Sequence, residues 1–137
     1  MAEAYRDACC FIYLVEGEPK WKSVVSARMA AFGPAARLAT SELSRLECRT
    51  KPMHDGNLAL LAQYDSLFSA ARLELVALNT AVIDCATLLR AEYGFKTPDA
   101  LHLATALESG ASVFVTADGK LKRCSAIRVE VLQPSIT

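Results

Sequence analysis

Short apolar runs and longer stretches with apolar residues every three or four positions alternate along almost the whole chain. The short runs predict five strands, at residues 3–7 (EAYRD), 36–40 (ARLAT), 73–78 (LELVAL), 112–116 (SVFVT) and 128–132 (RVEVL). Between them the helical period predicts a helix opening at residue 8 and stopped by Gly17 and Pro19, and a second over 21–32 ended by Gly33 and Pro34. A third is capped by Thr40 or Ser41 and runs to about residue 50, with Pro52 beyond it as a stop, and a fourth covers 57–70. Thr80 caps a helix to residue 93 that Gly94 ends, residues 98–108 form the next, closed by Gly110, and a short helix covers about 118–125.

Strand and helix alternate with short connections, so the pattern predicts an α/β protein with a parallel sheet sandwiched between helices. In sheets of that kind ligands bind outside the carboxyl ends of the strands. With 137 residues, no internal repeat and no linker-like stretch, one domain spanning 1–137 is expected. Hydrophobic residues make up 53% and aromatics 7%, so the core is built mainly from Ala, Leu, Val and Ile.

Fifteen Lys and Arg balance fifteen Asp and Glu, which excludes a strong overall basic field but leaves local patches open. The five cysteines, Cys9, Cys10, Cys48, Cys85 and Cys124, lack a C-x-x-C spacing and read as reduced, mostly buried thiols rather than a disulfide framework or zinc site. A cytoplasmic location is expected. Charges at Glu3, Arg6 and Asp7 argue against a cleavable signal peptide, and no apolar run reaches the ~18 to 20 residues needed to span a bilayer, so no membrane association is expected.

Against this pattern several carboxylates stand out. Asp7 follows the first predicted strand and Asp118 the fourth, which sends both toward one edge of the sheet; for each, a helix N-cap is the competing reading. In SELSRLECRT, Leu43, Leu46 and Thr50 share a helical face with Glu47, whereas Glu42, Arg45 and Arg49 gather opposite. Glu47 is therefore the carboxylate on the apolar side, with a shoulder position reaching solvent as the alternative. Asp99 lies in the first turn of the helix whose apolar face is Ala100, Leu103, Ala104 and Leu107, where dipole compensation would also explain it. His102, close to Asp99 in projection, is read as packing or supporting rather than ligating. Asp84 faces solvent. Four carboxylates converging on one edge repel one another unless a cation sits among them, and hard divalent ions such as Mg²⁺ and Mn²⁺ take oxygen ligands and bridge to phosphates.

With YRDACCFIYLVEGEP carrying Asp7, TSELSRLECRTKP carrying Glu47, TPDALHLATAL carrying Asp99 and VFVTADGKL carrying Asp118, the chain resembles the PIN-domain family along essentially its whole length. Within that family it resembles the VapC-like toxin ribonucleases of type II toxin–antitoxin pairs. The resemblance implies a three-layer α/β/α sandwich with a five-stranded parallel sheet, and metal-dependent endoribonuclease activity leaving 5′-phosphate and 3′-hydroxyl ends. It also implies an acidic site in which Asp7, Glu47, Asp99 and Asp118 hold one or two Mg²⁺ or Mn²⁺ ions, with Thr116 supporting it by hydrogen bonding, and an RNA substrate, a cognate antitoxin protein and a homodimer as partners. The sequence departs from the family pattern at Ala8 and Cys9, where a small or hydroxyl residue and then Ser or Asn commonly follow the first Asp, and at Ala117, where Asn is common.

Arg45, Arg49 and Lys51 near Glu47, with Lys96, Lys120, Lys122 and Arg123 near Asp99 and Asp118, could line a phosphate track; ordinary surface charge is the competing reading. A phosphoaspartyl phosphatase would need a second Asp in DACC, and a receiver domain an acceptor Asp where Asn79 stands. The stronger alternative is a catalytically degenerate PIN-like module that binds RNA or a protein partner without cutting, a reading supported by Ala8 and Cys9.

Overall fold

The computed structural model describes residues 2–134; the outer limits expected for the domain, residues 1 and 137, lie outside the described residues. Five parallel strands form one sheet: β1 (Ala4–Arg6), β2 (Leu38–Ser41), β3 (Leu73–Val76), β4 (Val113–Thr116) and β5 (Arg128–Val131), in the order β3-β2-β1-β4-β5. Six helices cover it: α1 (Ala8–Glu16), α2 (Pro19–Ala31), α3 (Glu42–His54), α4 (Leu58–Phe68), α5 (Thr80–Tyr93) and α6 (Thr97–Glu108), with a 3₁₀ turn at Gly119–Arg123.

The central strands are buried on both faces, so they read as apolar runs and their residues divide by the twofold period of a strand. Tyr5, Phe114 and Val129 pack with Val82, Leu89, Leu103 and Ala104 of α5 and α6 on one side of the sheet. Ala4, Val113 and Val115 face the other way and pack with Cys10 of α1 and Val25 of α2. A third cluster, Phe11, Cys48, Tyr64 and Phe68, joins α1, α3 and α4. Helices on both faces of a five-stranded parallel sheet make the three-layer α/β/α sandwich the sequence predicts.

The element boundaries differ in instructive places. Pro52 does not stop α3, which continues to His54. A proline removes only its own amide and here sits buried in the last turn, where the Pro52 carbonyl still accepts from the Asn57 N–H at 2.9 Å. Helices α2 and α6 both begin with proline in their first turn, because a residue without an N–H loses nothing there. Asn79, not Thr80, caps α5: its side-chain oxygen accepts from the Val82 N–H at 3.0 Å. Gly94 ends that helix at φ 70°, a conformation that disfavours any side chain.

The predicted apolar face of α3 is also corrected. The buried positions are Ser44, Cys48 and Pro52, while Leu46 is 62% exposed. Ser44 is fully buried because its hydroxyl is satisfied within the core by Thr40 Oγ1 at 2.7 Å, which a periodicity count based on apolarity misses.

Candidate metal centre

The strand order reverses direction between β1 and β4, and at such a switch point the adjoining loops diverge and leave a crevice at the carboxyl edge. Asp7 follows β1 and Asp118 follows β4 within two residues of its end. Pairing of Arg6 with Val115 sets the two loops side by side.

Asp7 occupies the N-cap position of α1, yet its side chain makes no capping hydrogen bond. Its carboxylate is turned instead toward β4. Oδ2 accepts from the Thr116 hydroxyl at 2.6 Å and Oδ1 from the Cys9 thiol at 2.7 Å. The capping reading of Asp7 thus gives way to that of a buried, oriented carboxylate. Burial pushes its pKa above the usual carboxylate range, and the hydrogen bonds from Cys9 and Thr116 offset only part of that push.

Thr116 is fully buried and joins the two loops: besides donating to Asp7, its hydroxyl accepts from the Asp118 N–H at 3.0 Å. Asp118 does act as a cap, since its Oδ1 accepts from the Lys120 N–H at 3.0 Å to open the 3₁₀ turn. The other oxygen, Oδ2, lies 3.9 Å from the Lys120 ammonium.

Glu47 projects from α3 toward α6, where its Oε1 meets His102 Nε2 at 2.6 Å. His102 does not bond to Asp99, its neighbour in helical projection; its second ring nitrogen, Nδ1, lies 2.6 Å from the Tyr5 hydroxyl. Burial holds the Tyr5 phenol well above its ordinary pKa, so it keeps its proton, and the His102 ring bridges it to Glu47. A chain from the first strand through α6 therefore orients the Glu47 carboxylate. Tyr5 is the residue that sequence reasoning missed. The available signal was its position two residues before Asp7, which sends both side chains to one face of β1.

Asp99 sits in the first turn of α6, half-buried. Its pKa is raised first by burial and next by the Asp118 carboxylate, while Lys120 and His102 partly relieve it and Glu47 adds to the repulsion. Asp99 thus feels both Asp118 and Glu47 as negative neighbours. It also lines a cleft of about 220 Å³ with Lys96, Lys120 and Arg123. Of the other basic residues considered, Arg45 pairs with Glu42 at 2.9 Å and Arg49 with Asp65 at 2.8 Å. The larger concavities lie elsewhere: one of about 540 Å³ beside Ala36, Arg37 and Arg72, and a groove of about 420 Å³ along α3.

The donor chemistry suits a hard divalent cation. Burial raises the pKa of Asp7, and burial with the Asp118 and Glu47 carboxylates raises that of Asp99, a cost that a cation would relieve. Among the described residues, the one group of three donors within 4.8 Å of one another is different: Asp7, Cys9 and Cys10.

The family model of the PIN domain matches residues 4–127. The chain belongs to the PIN-domain family. Sequence comparison with curated proteins gives no match. Among solved structures, this PIN domain is similar to VapBC2 from Rickettsia felis, solved with a DNA fragment from its promoter, at 17% identity and TM-score 0.78 over 93% of this chain and 97% of that one. It is also similar to VapBC-1 from nontypeable Haemophilus influenzae, at 17% identity and TM-score 0.74 over 93% and 96%. A third likeness is to VapC20 from Mycobacterium tuberculosis, described as a sarcin–ricin loop cleaving toxin, at 13% identity and TM-score 0.72 over 88% and 93%. At these identities the shared property is the fold. Among the described residues, no helix is long and apolar enough to cross a membrane.

Proposed function

We propose that the protein is a Mg²⁺- or Mn²⁺-dependent endoribonuclease, the toxin of a toxin–antitoxin pair. What supports this reading is a PIN fold in which Asp7 and Asp118 follow neighbouring strands, Thr116 holds Asp7, His102 holds Glu47, and Asp99 feels the charges of Asp118 and Glu47. These four carboxylates would hold the ion. Bound there, a divalent cation lowers the pKa of a coordinated water and offsets charge developing on a phosphodiester.

The chain's own residues then have distinct tasks. Thr116 keeps the Asp7 oxygens in one orientation, and the Tyr5–His102 pair does the same for Glu47. Lys96 and Lys120, exposed beside Asp99, offer phosphate contacts in a cleft that itself reads no base sequence. Arg123 lies over the Phe95 ring at 4.0 Å and donates to the Tyr93 carbonyl, which fixes it at the cleft wall.

A protein partner is part of the proposal. The α3 groove exposes Leu46, Met53 and Leu78 beside Glu42, Arg45 and Arg49, an apolar strip edged by charge. Such a surface suits a cognate antitoxin or a second copy in a homodimer.

The test is cleavage of an end-labelled mixed RNA pool by purified protein with Mn²⁺ or Mg²⁺, beside EDTA and Asp99→Asn controls. Metal-dependent cleavage lost in the variant is expected. Mn²⁺ binding without cleavage, by folded protein free of partner, would favour the non-cutting module instead. That reading is supported by the Cys9 thiol, which stands in a position where the family commonly has Ser or Asn and engages one Asp7 oxygen. Expression alone is expected to slow growth and Asp7→Asn to relieve it; equal toxicity from the two would rule the toxin reading out.

A further inference from the structure

We propose that Asp7, Cys9 and Cys10 form a binding site for a thiophilic divalent cation, Zn²⁺, with two sulfurs and one carboxylate oxygen as its protein ligands. Their donor atoms lie within 4.8 Å of one another. Tetrahedral Zn²⁺, with bonds of about 2.3 Å to sulfur and 2.0 to 2.2 Å to oxygen, places its ligands roughly 3.3 to 3.8 Å apart. The Cys9 sulfur is already 2.7 Å from Asp7 Oδ1.

The surrounding atoms hold the Cys9 sulfur beside Asp7. The Ala117 N–H donates to Cys9 Sγ at 3.3 Å. Both cysteines lie in the first turn of the nine-residue α1, and the Cys10 thiol is held well above its ordinary pKa by its hydrogen bond with Cys9 and by burial, so the cation must displace its proton. Asp7, at the N-cap but not capping, keeps its carboxylate available to a cation. Cys10 contributes from the buried side, its thiol now donating to the Val115 carbonyl at 3.5 Å.

Loading is a proton exchange without redox change. Zn²⁺ forms two bonds to sulfur and one to the Asp7 oxygen, two S–H bonds break, and both protons pass to solvent; water completes the tetrahedron. Mg²⁺ and Mn²⁺, which prefer oxygen, gain little from the thiols, so the site selects by softness. Asp7 is common to this site and to the carboxylate centre. Zn²⁺ at the thiols therefore competes with a hard ion at the carboxylates, a consequence that rests on the proposed function, whereas the zinc site does not.

The experiment uses the full chain, reduced and stripped of metal, titrated with Co²⁺ as a spectroscopic probe and then with Zn²⁺. A thiolate-to-cobalt absorption band in the near ultraviolet is expected, abolished by one equivalent of Zn²⁺. Cys9→Ser and Cys10→Ser should each diminish the band and weaken Zn²⁺ binding at least ~10-fold, since even groups that only orient a metal ligand are worth that much. Cys48→Ser, altering a buried thiol outside the cluster, should leave both unchanged. Should Cys10→Ser fail to fold by circular dichroism, Cys10→Ala replaces it without placing a hydroxyl in the core. No band in the wild type, or a band that survives in Cys9→Ser, would overturn the proposal. A band in protein that shows no Mn²⁺ binding by electron paramagnetic resonance would uphold the zinc site while removing the hard-metal reading.

Discussion

Replacing Thr116 by valine tests the joint between the two site loops. Valine keeps the volume of a fully buried threonine but deletes the hydroxyl that donates to Asp7 Oδ2 at 2.6 Å and accepts from the Asp118 N–H at 3.0 Å. The first is a hydrogen bond to a carboxylate, contributing about 1.5 to 3 kcal/mol, and the second loss orphans an amide at about 1 to 3 kcal/mol. Since water reaches the half-buried Asp118 loop and softens the second loss, a destabilisation of about 3 kcal/mol is expected. For 137 residues each kcal/mol corresponds to about 3 to 4 °C in Tm, so Thr116→Val should melt roughly 10 °C below wild type. Thermal unfolding followed by circular dichroism, with EDTA in both samples, measures the difference. Thr116→Ser, which keeps both hydrogen bonds and loses a methyl group, should recover at least half of it. Mn²⁺ affinity should fall about 10- to 100-fold in Thr116→Val, as for other groups that orient a ligand, and return in Thr116→Ser. A Thr116→Val protein within 1 °C of wild type would refute the account of Thr116 as the group that holds Asp7.

Asp7→Asn should stabilise the metal-free fold while removing Mn²⁺ binding. Burial raises the folded pKa of Asp7, so the folded state holds the proton more tightly than the unfolded chain, and stability is lost as pH rises through that raised pKa. In EDTA the variant's advantage in Tm should be present at pH 7 and vanish below the ordinary carboxylate range; a variant that melts lower at pH 7 would contradict it. Tyr5→Phe should cost about 1 to 3 kcal/mol in urea unfolding by leaving His102 Nδ1 buried without a hydrogen-bond partner. Glu130, held below its ordinary pKa by Arg28, stabilises the fold above the usual glutamate pKa and loses that contribution as pH falls through the depressed value. Glu130→Gln should therefore cost about 0.5 to 1 kcal/mol at pH 7 and nothing in strong acid, read from urea midpoints at both pH values.

Much of this was legible because burial leaves its mark on composition. VFVT and RVEV read as strands for lack of any other use for β-branched runs of that length, and Gly94 marked a helix end because a left-handed residue was required. The face of α3 was not legible. Its buried side is made of Ser44, Cys48 and Pro52, and a serine becomes a core residue only when another element brings it a partner, here Thr40. His102 shows the same limit: helical projection placed it by Asp99, but the partners it found, Tyr5 and Glu47, lie 97 and 55 residues away.

What the sequence determined by itself was therefore the alternation of elements, the parallel sheet and the placement of Asp7 and Asp118 at one edge, because each follows from local period and from the short connections between elements. What the tertiary structure decided was the state of each carboxylate. Whether Asp7 caps a helix or faces β4 depends on Thr116, 109 residues away. The orientation of Glu47 on α3 depends on a histidine of α6 held by a tyrosine of β1. Hydrogen bonding and desolvation act through space, and their partners are supplied by the topology.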